Sequence, residues 1–410
     1  MADTNLTGLA FVSEVTWGTF PEGSPTLTDL RYTGESFSYN ISNIVSAEIR
    51  DDRQVTDLVQ ADADVTGGFD FELSYDDNGF GELFKAALWA YAWEGTIDES
   101  YTDLAFDTSG MINSNHTDFS GASFCTGRWI DVSGFTAAAS LDLNDTYFIT
   151  AHSTYTLDVV PAPTVAQAAT GVALNVKGYY CRNGTHESSY SFEREHTDIG
   201  QYFAYKGCVV NGLTLTATAS AIVTGSFDFI GSSATLTQAT NGDGSNTAAG
   251  TGDVMNAMSH VGRLMLEGST AATGTSCTFS TADADLVTQE ISFSIANNVR
   301  GIKGIGDTGN SDVGVGTFEV TGTMNMHILD DTFYDRYTGD TEGALSFKVE
   351  DGDGNAYIFT FPRIKFETDT VNVGGQNDDV MENITWRAIR WSNTGDNTDD
   401  YTMQIDKFAA

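Results

Sequence analysis

Positive charge is scarce in this 410-residue chain. It contains 7 Lys and 12 Arg against 39 Asp and 18 Glu, which gives a formal net charge of −38 at pH 7. Binding to nucleic acid depends on cations that displace counterions from the phosphates, so a strongly acidic surface repels DNA and RNA. The composition therefore argues against sequence-specific nucleic-acid binding and against binding to anionic membranes.

Cysteine and long apolar runs are also scarce. The four Cys residues show neither a C-x-x-C motif nor regular spacing, so we expect free buried thiols and no zinc site or disulfide framework. No stretch approaches the roughly 20 apolar residues of a membrane span, and Met1–Gly23 lacks a basic region before an apolar core. We expect no membrane association and synthesis in the cytoplasm.

Apolar residues are frequent enough for a folded protein. They make up 40% of the chain, and aromatic residues make up 11%, which is too much for an acidic disordered chain. The 42 Gly, the 5 Pro and the abundance of Thr, Ser, Val and Phe favour strands and turns over helices. The composition therefore predicts a mainly β fold.

One seven-residue pattern occurs three times, as Val65–Phe71, Val223–Phe229 and Val320–Met326. In each copy large apolar residues alternate with Thr, Ser, Asp or Asn. Alternation with a period of two is typical of a strand that has one buried and one solvated face. Each copy is therefore predicted to be such a strand.

The similarity extends to the segments that flank the first and third copies. An acidic cluster follows each of them, and after the first it precedes a predicted helix, Glu82–Ala90, whose free N–H groups Asp77 or Asn78 is expected to cap. The second predicted helix, Phe333–Tyr337, is about one turn long. Upstream, an alternating strand leads into a long polar arm in both cases.

A weaker similarity relates Tyr202–Tyr205 and the strand at Val223 to Tyr357–Phe361 and Val380–Trp386. We infer a unit of strand, arm, strand, helix and second hairpin that is present twice. The predicted divisions are a first repeat of residues 1–92 and 179–230, an inserted small all-β domain of residues 93–178, a flexible linker of residues 231–255 and a second repeat of residues 256–410.

Catalytic motifs are not evident in the sequence. The six His residues lie apart, and no H-E-x-x-H or G-x-S-x-G motif occurs. Gly304–Gly309 matches G-x-G-x-x-G but strand-like sequence follows it, and Asp351–Asn355 opens like a calcium loop but lacks its later Gly and Glu. We expect a hairpin turn at Asp351–Asn355, no enzyme activity and no cofactor, with weak surface binding of Ca²⁺ left open.

Acidic residues are concentrated in the long connections. Between Glu48 and Asp64 six acids face two arginines, and between Glu367 and Glu382 there are five acids and no base. Acidic runs usually mark solvated surface. Long charged arms of this kind are more than a monomer needs, which indicates assembly.

The chain resembles the tail tube proteins of long, non-contractile-tailed bacteriophages, in a form with the tube fold duplicated in one chain. The resemblance rests on Val12–Pro21, Gly34–Leu73, Asp198–Phe229 and Leu345–Trp386. It implies two tandem tail-tube-type β-sandwich or barrel repeats, each with a flanking helix, besides the inserted domain. Because these are patterns of fold and assembly, the resemblance carries no chemistry.

The resemblance also implies a structural role in the virion. If the ring of the family holds six copies of the fold, two copies per chain imply trimeric, pseudo-hexameric rings that self-assemble into a stacked tail tube. The implied partners are further copies of the chain, the tape-measure protein, and the tail-tip and tail-terminator proteins. Genomic DNA is expected to pass through without specific binding, and assembly is expected in the host cytoplasm.

An acidic channel suits DNA passage, since a basic bore would bind DNA and stall its ejection. The acids expected to line the lumen are Asp51, Asp52, Asp57, Asp62, Asp64, Asp378 and Asp379. The residues expected to pair with acids between subunits or rings are Arg50, Arg53 and Arg300. The inserted domain is expected on the outside of the tube.

Other interpretations remain open at the level of sequence. A virus of a salty habitat would carry acids on all its surfaces, not only in a channel. A β-rich adhesin or carbohydrate-binding protein would use exposed aromatic residues such as Trp129 and Tyr147. A hydrolase on a β scaffold and a different virion protein, such as a capsid decoration or the tail terminator, are the remaining alternatives.

Overall fold

The computed structural model describes residues 3–120, 124–136, 143–169, 173–257, 261–266 (backbone only), 287–328, 330–392 and 400–409. The protein is mainly β, with two α-helices among the described residues. Cys181 and Cys208 are free and buried as predicted, Cys125 is buried as well, and Cys277 lies outside the described residues. None of the described helices has the length and hydropathy that would let it cross a membrane.

The N-terminal part begins with a short 3₁₀ turn, Thr4–Leu6, and contains five strands and a helix. These are β1 (Thr7–Ser13), β2 (Thr28–Asp29), β3 (Gly34–Glu35), β4 (Ser38–Val45), β5 (Leu58–Glu72) and α1 (Phe80–Ala87). The next seven strands are β6 (Glu94–Tyr101), β7 (Leu104–Asp107), β8 (Met111–Ser114), β9 (Trp129–Ser133), β10 (Asp145–His152), β11 (Thr156–Val160) and β12 (Leu174–Arg182). Four more follow, β13 (Ser189–His196), β14 (Gln201–Thr218), β15 (Thr224–Gly231) and β16 (Ser233–Thr237).

The C-terminal part also consists mainly of strands, with one helix among its described residues. It contains β17 (Val261–Leu266), β18 (Thr288–Ala296), β19 (Arg300–Lys303), β20 (Asn310–Gly314), β21 (Glu319–His327), α2 (Thr332–Thr338), β22 (Gly343–Glu350), β23 (Ala356–Val373), β24 (Val380–Ala388), β25 (Trp391–Ser392), β26 (Asp400–Tyr401) and β27 (Gln404–Phe408). The predicted hairpin turn at Asp351–Asn355 is confirmed, because it joins β22 to β23 and the Asp351 carboxylate accepts the N–H groups of Asp353 and Asn355.

The two sequence repeats form two copies of one strand arrangement. In the first copy the neighbouring strands run β1, β13, β14, β15, β5, β4, and in the second copy they run β17, β22, β23, β24, β21, β18. All these pairs are antiparallel. The inferred duplication is therefore present in the strand order as well as in the sequence.

The irregularities of the two copies also coincide. The register between β14 and β15 shifts after Val210, and the register between β23 and β24 shifts after Phe366. The shifts lie at the same place, because Val210 pairs with Phe229 and Phe366 pairs with Trp386, at corresponding positions of the repeated strands. A β-bulge bends a strand and redirects its side chains, so the copies share curvature as well as order.

The repeated heptad is a half-buried strand, as its alternation predicts. Phe69 and Phe71 on β5 and Met324 and Met326 on β21 are buried, whereas the polar residues between them are exposed or half-buried. On β14, β15, β18 and β24 the same alternation directs apolar side chains to one core. The sheet therefore has one apolar and one polar face.

Helix α1 packs its apolar side on that core. Phe80, Leu83, Phe84 and Ala87 recur at helical spacing and are fully buried. The prediction that Asp77 or Asn78 caps α1 is wrong, because the N-cap residue is Gly79, which has no side chain that could accept from the first helical N–H groups. Asp76 Oδ1 accepts from the N–H groups of residues 78 and 79, just before the helix, at 3.2 and 3.0 Å. The Asp77 carboxylate instead pairs with Lys407.

The two copies share one sheet and one core. The far half of β14, Gly212–Thr218, pairs with β18 along its whole length, so the polar face continues from one copy to the other. On the apolar side, the ring of Phe84 lies 5.2 Å from that of Tyr357 and 5.9 Å from that of Phe359. Helix α1 of the first copy is thus covered by β23 of the second.

The insert has an apolar core of its own, formed by β6–β12, but it is joined firmly to the rest. Strand β12 pairs through Leu174–Gly178 with β6 and through Tyr179–Arg182 with β27. Trp129 of β9 packs with residues of β23 and β27, and its indole N–H donates to Thr360 Oγ1 at 2.9 Å. The predicted division into domains stays a prediction.

The segment predicted to be a linker, residues 231–255, contacts both copies, and the Ser232 hydroxyl donates to the Asn310 carbonyl of the second. Strand β16 pairs with β14, the Glu193 carboxylate accepts from the Thr240 hydroxyl and the Asn241 N–H, and Met255 is fully buried. The flexibility assigned to this segment from sequence stays a prediction.

Candidate assembly surfaces

The polar face of the shared sheet is the first candidate surface. The registers between neighbouring strands place the polar residues of these strands on one face of the sheet, opposite the apolar core. We call it the hydroxyl face, and it includes Thr66, Asp70, Thr214, Thr216, Ser226, Asp228, Ser292, Ser294, Thr321, Thr323, Thr368, Thr370 and Thr385. These residues are half-buried or exposed.

Hydroxyl groups on this face bond to one another across the strands. The oxygens of Thr214 and Ser226 lie 2.7 Å apart, those of Ser292 and Thr323 lie 2.8 Å apart, and those of Thr368 and Thr385 lie 2.6 Å apart. Such cross-strand pairs stabilise a sheet modestly. The hydroxyl groups form an uncharged polar surface between the carboxylates of the hydroxyl face.

Lys303 and Arg387 reach the hydroxyl face, and each contacts two carboxylates. Lys303 Nζ lies 2.8 Å from Asp62 Oδ1 and 3.7 Å from Asp64 Oδ2, and this contact lowers the pKa of the Asp62 carboxyl. Arg387 contacts Glu319 at 3.0 Å and also Glu367. Their charge is neutralised locally, so they offer little to a passing phosphate.

The second candidate surface consists of two sheet edges. Neighbouring strands in the shared sheet run β4, β5, β15, β14, β18, β21, β24 and β23, which leaves the outer edge of β3 and β4 at one end. At the other end lies the far half of β23, Thr368–Val373, beyond its pairing with β22 and β27. Neither edge pairs with another strand in the part of the chain that the structure describes.

The third candidate surface is the arm formed by the β4–β5 hairpin, residues 41–61. Its apolar side chains are unusually exposed: Ile41 50%, Ile44 63%, Val45 52%, Ile49 98%, Val55 71%, Leu58 58% and Val59 53%. Many exposed apolar side chains within one segment of an otherwise acidic protein indicate an interaction site. The arm is therefore a candidate contact between copies of the chain.

The acids predicted to line a lumen lie in three places. Asp51, Asp52 and Asp57 are exposed at the tip of the arm. Asp62 and Asp64 lie on β5 beside Lys303, on the same side as Asp70 of the hydroxyl face. Asp378 and Asp379 are exposed in the turn between β23 and β24, where the Asp378 carboxylate accepts the Gly375 N–H at 2.7 Å and Asp379 lies 4.0 Å from His327.

The predicted inter-subunit arginines all lie on arms. Arg50 pairs with Asp52 of the same chain at 2.7 Å, and this contact lowers the pKa of the Asp52 carboxyl. Arg53 lies exposed in the same tip, with a left-handed backbone of φ 60°. Arg300 is exposed on β19, where its guanidinium donates to the Val315 carbonyl at 3.4 Å.

Asp369 and Glu382 form a carboxyl pair that the sequence patterns do not reveal. They lie on β23 and β24 at positions that face the core side, and Glu382 is only 1% exposed. Burial raises the pKa of both groups, and the Asp369 carboxyl raises that of Glu382 further. The sequence offered one signal for this pair. Asp369 and Glu382 stand at core-facing positions where the first copy has Leu213 and Gly225.

A second group of buried charges joins the insert to the C-terminal strand. The Arg182 guanidinium donates to Gln404 Oε1 at 2.8 Å, and Gln404 in turn donates to Asp406 Oδ2. Burial raises the pKa of Asp406 to about 7, while Gln404 and the charges of Arg128 and Arg182 oppose that rise. This group is enclosed by protein and therefore serves packing of the insert.

The aromatic residues proposed for sugar binding are not available. Trp129 and Tyr147 are each 1% exposed and belong to apolar clusters, so the expectation that they form exposed platforms is wrong. The two side chains lie on opposite faces of β9 and β10, both of which are covered: Tyr147 packs in the core of the insert, and Trp129 packs against β23 and β27. Gly304–Gly309 is the turn between β19 and β20, and the described residues contain no group of three His, Cys, Asp or Glu arranged to hold a metal.

Comparison with known protein families identifies a family to which the chain is similar. A family model described as a phage tail tube protein matches residues 4–388, which include both copies, the insert and the segment between the copies. No curated protein matches the chain.

Proposed function

The chain belongs to the phage tail tube protein family, and we propose that three copies form a pseudo-hexameric ring whose stacking builds the tube. Membership makes the protein a structural component of the virion tail that assembles with itself. The finer statements, which concern ring size, channel and contacts, are proposals.

The duplicated strand order carries the proposal of a three-chain ring. Both copies have the same six-strand order and the same bulge, and β14 of the first joins β18 of the second. One chain therefore already contains one junction between neighbouring folds. A ring that repeats this junction six times needs three chains.

We propose that the hydroxyl face lines the channel. It carries Asp62, Asp64, Asp70 and Asp228 among hydroxyl groups, and its nearby cations are paired. Carboxylates repel the DNA backbone, and hydroxyl groups already bonded to each other do not bind it strongly, so DNA can move along such a wall. Asp51, Asp52, Asp57, Asp378 and Asp379 would extend the acidic surface to the two faces of the ring.

The arms are proposed to join rings, with Arg50, Arg53 and Arg300 meeting acids of neighbouring copies. The insert is proposed to lie on the outside of the tube, because a folded domain in the bore would block it. Tape-measure, tail-tip and tail-terminator proteins are the proposed further partners, and assembly is proposed to take place in the host cytoplasm.

Negative-stain electron microscopy with mass determination tests the ring. The purified chain is examined at low and at high salt, because salt screens the repulsion between chains of net charge −38. We expect hollow tubes or rings with three chains per ring, favoured at high salt. Monomers under all conditions, together with glycan binding, would instead support the adhesin alternative.

The channel wall is tested by reversing its charge. Virions assembled with Asp70→Lys and Asp228→Lys place cations in the proposed bore, and we expect DNA ejection to slow by at least about tenfold, more at low salt. The matched control is Asp158→Lys, an exposed acid on the insert strand β11. Equal ejection rates for both variants would show that the hydroxyl face does not face the DNA.

A further inference from the structure

We propose that the ring closes by strand addition, the outer edge of β3 and β4 in one chain pairing antiparallel with Thr368–Val373 of β23 in the next. This inference rests on the proposed ring and adds to it which strands meet and in which register. The occupant of each edge is a second copy of this chain.

The junction inside the chain is the template. Where β14 meets β18, Leu213 pairs with Ile295, Thr214 with Ser294 and Leu215 with Phe293. This pairing covers seven residues on each strand without a register shift. It is the contact that the first copy makes with the second copy.

Corresponding positions in the two copies fix the register of the missing junction. Strand β14 pairs with the heptad strand β15, and β23 pairs with β24, with the bulge at the same place in both pairs. Counting from the bulge, Leu213 is equivalent to Asp369 and Thr214 is equivalent to Thr370. The equivalent of Ser294 is Ser38, because they pair with Thr321 and Thr66 at the same place in the heptad.

Transferring the internal register then gives the pairs between chains. The expected partners are Thr368 with Asn40, Asp369 with Tyr39, Thr370 with Ser38, Val371 with Phe37, Asn372 with Ser36 and Val373 with Glu35. Thr370 and Ser38 both lie on the hydroxyl face, so the face continues across the junction.

Exposure supports this assignment. Leu215 and Ala217, which β18 covers inside the chain, are 1% and 5% exposed, whereas their equivalents Val371 and Val373 are 38% and 79% exposed. Unpaired strand edges with apolar side chains invite pairing with another chain. The second copy therefore presents, uncovered, the surface that the first copy buries.

Helix α2 shows the same asymmetry independently. On α1, Phe84 is fully buried, and its ring contacts those of Tyr357 and Phe359 in the second copy. On α2, Phe333 and Arg336 are buried, whereas Tyr334 and Tyr337 are 48% and 37% exposed. A neighbouring first copy, placed by the proposed strand pairing, is the element that would cover them.

The geometry also explains why the assembly ends as a ring. One edge of the sheet meets the other edge of the next chain, so the contact is head-to-tail, and such contacts close into rings when the rotation per step allows it. Because the internal and external junctions are equivalent, the rotation at each is set by the same strands and bulges. Main-chain hydrogen bonds supply the affinity, as in other strand-addition contacts.

Cysteine cross-linking tests the register. Ser38→Cys with Thr370→Cys places thiols on directly opposed residues of the proposed junction, and Thr214→Cys with Ser294→Cys places them on the equivalent pair inside the chain. The cross-linking reagent, an oxidant or a short reagent that joins two thiols, is chosen because it cross-links the internal pair. We expect the Ser38/Thr370 variant to yield covalently closed rings of three chains on non-reducing gels.

Three controls accompany it. Each single variant shows what the native thiols contribute, and Ser42→Cys with Thr370→Cys offsets the thiols by four residues, about 13 Å, along β4. We expect no ring-sized product from any of these. Wild-type tubes seen by electron microscopy confirm that assembly takes place under the same conditions.

The outcomes separate the pairing from the ring itself. Tubes that form without cross-linking of Ser38 to Thr370, or that cross-link through the offset pair, overturn the proposed junction and leave the tube function standing. A chain that neither assembles nor cross-links, although the internal pair closes, overturns both. Cross-linked rings of a different chain number support the junction and correct the proposed trimer.

Discussion

Close approach of a neighbouring strand requires glycine at the third heptad position in both copies, and the φ of 111° at Gly67 favours glycine further. A Cβ on Gly67 would lie 2.3 Å from the Ser36 carbonyl oxygen, and a Cβ on Gly322 would lie 2.5 Å from the equivalent Ser292 oxygen. Backbone atoms cannot withdraw as a flexible side chain can, and the Trp386 ring adds a contact at 2.2 Å beside Gly322. Only glycine allows the neighbouring strand to approach so closely.

We therefore expect Gly322→Ala to lower the free energy of unfolding by about 1–3 kcal/mol, because the added methyl overpacks a filled site. The shift of the urea midpoint measures it. The control is Gly8→Ala on β1, where the nearest atom would lie at an ordinary 3.5 Å. A Gly322 variant as stable as the control would mean that the strands separate without cost.

The carboxyl pair of Asp369 and Glu382 makes stability depend on pH. The folded-state pKa of Glu382 is raised above the ordinary value near 4.3, so the protonated carboxyl favours the folded state. Its contribution is complete below about pH 4 and is lost as pH rises through the raised pKa. Glu382→Gln keeps a neutral side chain and avoids that loss.

We expect Glu382→Gln to be about as stable as the wild type near pH 5 and more stable by about 1–3 kcal/mol near pH 9, since a buried charge is costly. Thermal unfolding across this pH range measures the difference. Asp378→Asn, an exposed acid in the adjoining turn, is the control. A pH-independent difference between Glu382→Gln and wild type would contradict the assignment.

Sequence reasoning at this scale succeeded where alternation decides the outcome. It predicted the buried side of the heptad, since period-two patterning fixes both faces of a strand. It predicted a side-chain cap of α1 by Asp77 or Asn78, whereas the N-cap is Gly79, because the residue at which the helix begins depends on how the backbone turns after β5. It missed Asp369 and Glu382, whose proximity depends on the pairing of β23 with β24.

Among the elements, the β4–β5 arm concentrates exposed apolar surface. Ile44 and Val59 pair across its strands, at 63% and 53% exposure, so replacing them removes no core packing. We expect Ile44→Asp with Val59→Asp to leave the thermal midpoint unchanged while preventing rings from stacking. Negative-stain images would then show single rings where the wild type forms tubes.

The control keeps the arm apolar. Ile44→Val with Val59→Ile exchanges the two side chains and should assemble like the wild type. Normal tubes from the aspartate variant would remove the arm from the ring-to-ring contact.

Sequence predicted most of the elements but not their junctions. Three heptads and two hairpin patterns indicated two copies, and both copies have the inferred order of strand, arm, strand, helix and hairpin. The pairing of β14 with β18 was not evident, because it joins residues about 80 apart with no local signal. The boundary of the insert near residue 178 falls within β12, which continues as one strand through Gly178 although its pairing with β6 shifts register there.

On the scale of the whole molecule, the acidity has two possible explanations, and the location of the acidic residues on the surface distinguishes them. A channel requires carboxylates on the hydroxyl face, whereas a salty habitat requires them on all faces. Exposed acids occur on the arm, in the β23–β24 turn and on the insert at Asp98, Glu99 and Asp158, as well as on the hydroxyl face. The charge therefore fits both accounts together, and the channel account rests on the paired cations near Asp62 and Glu319.

The width of the channel follows from the number of strands that close the ring. Each chain supplies eight neighbouring strands from β4 to β23. For strands about 4.8 Å apart and tilted by about 40°, three times eight strands place facing backbones about 50 Å apart, and two times eight place them about 30 Å apart. Side chains occupy about 5 Å at each wall.

We therefore expect a bore of about 40 Å for a ring of three chains and about 20 Å for a ring of two. Only the wider bore leaves a water layer between a DNA duplex and the carboxylates of the hydroxyl face, which is what unhindered passage requires. Cross-sections of tubes in electron micrographs measure this directly. A bore near 20 Å would contradict the trimer and, because DNA would then contact Asp70 and Asp228 closely, the proposed role of the channel as well.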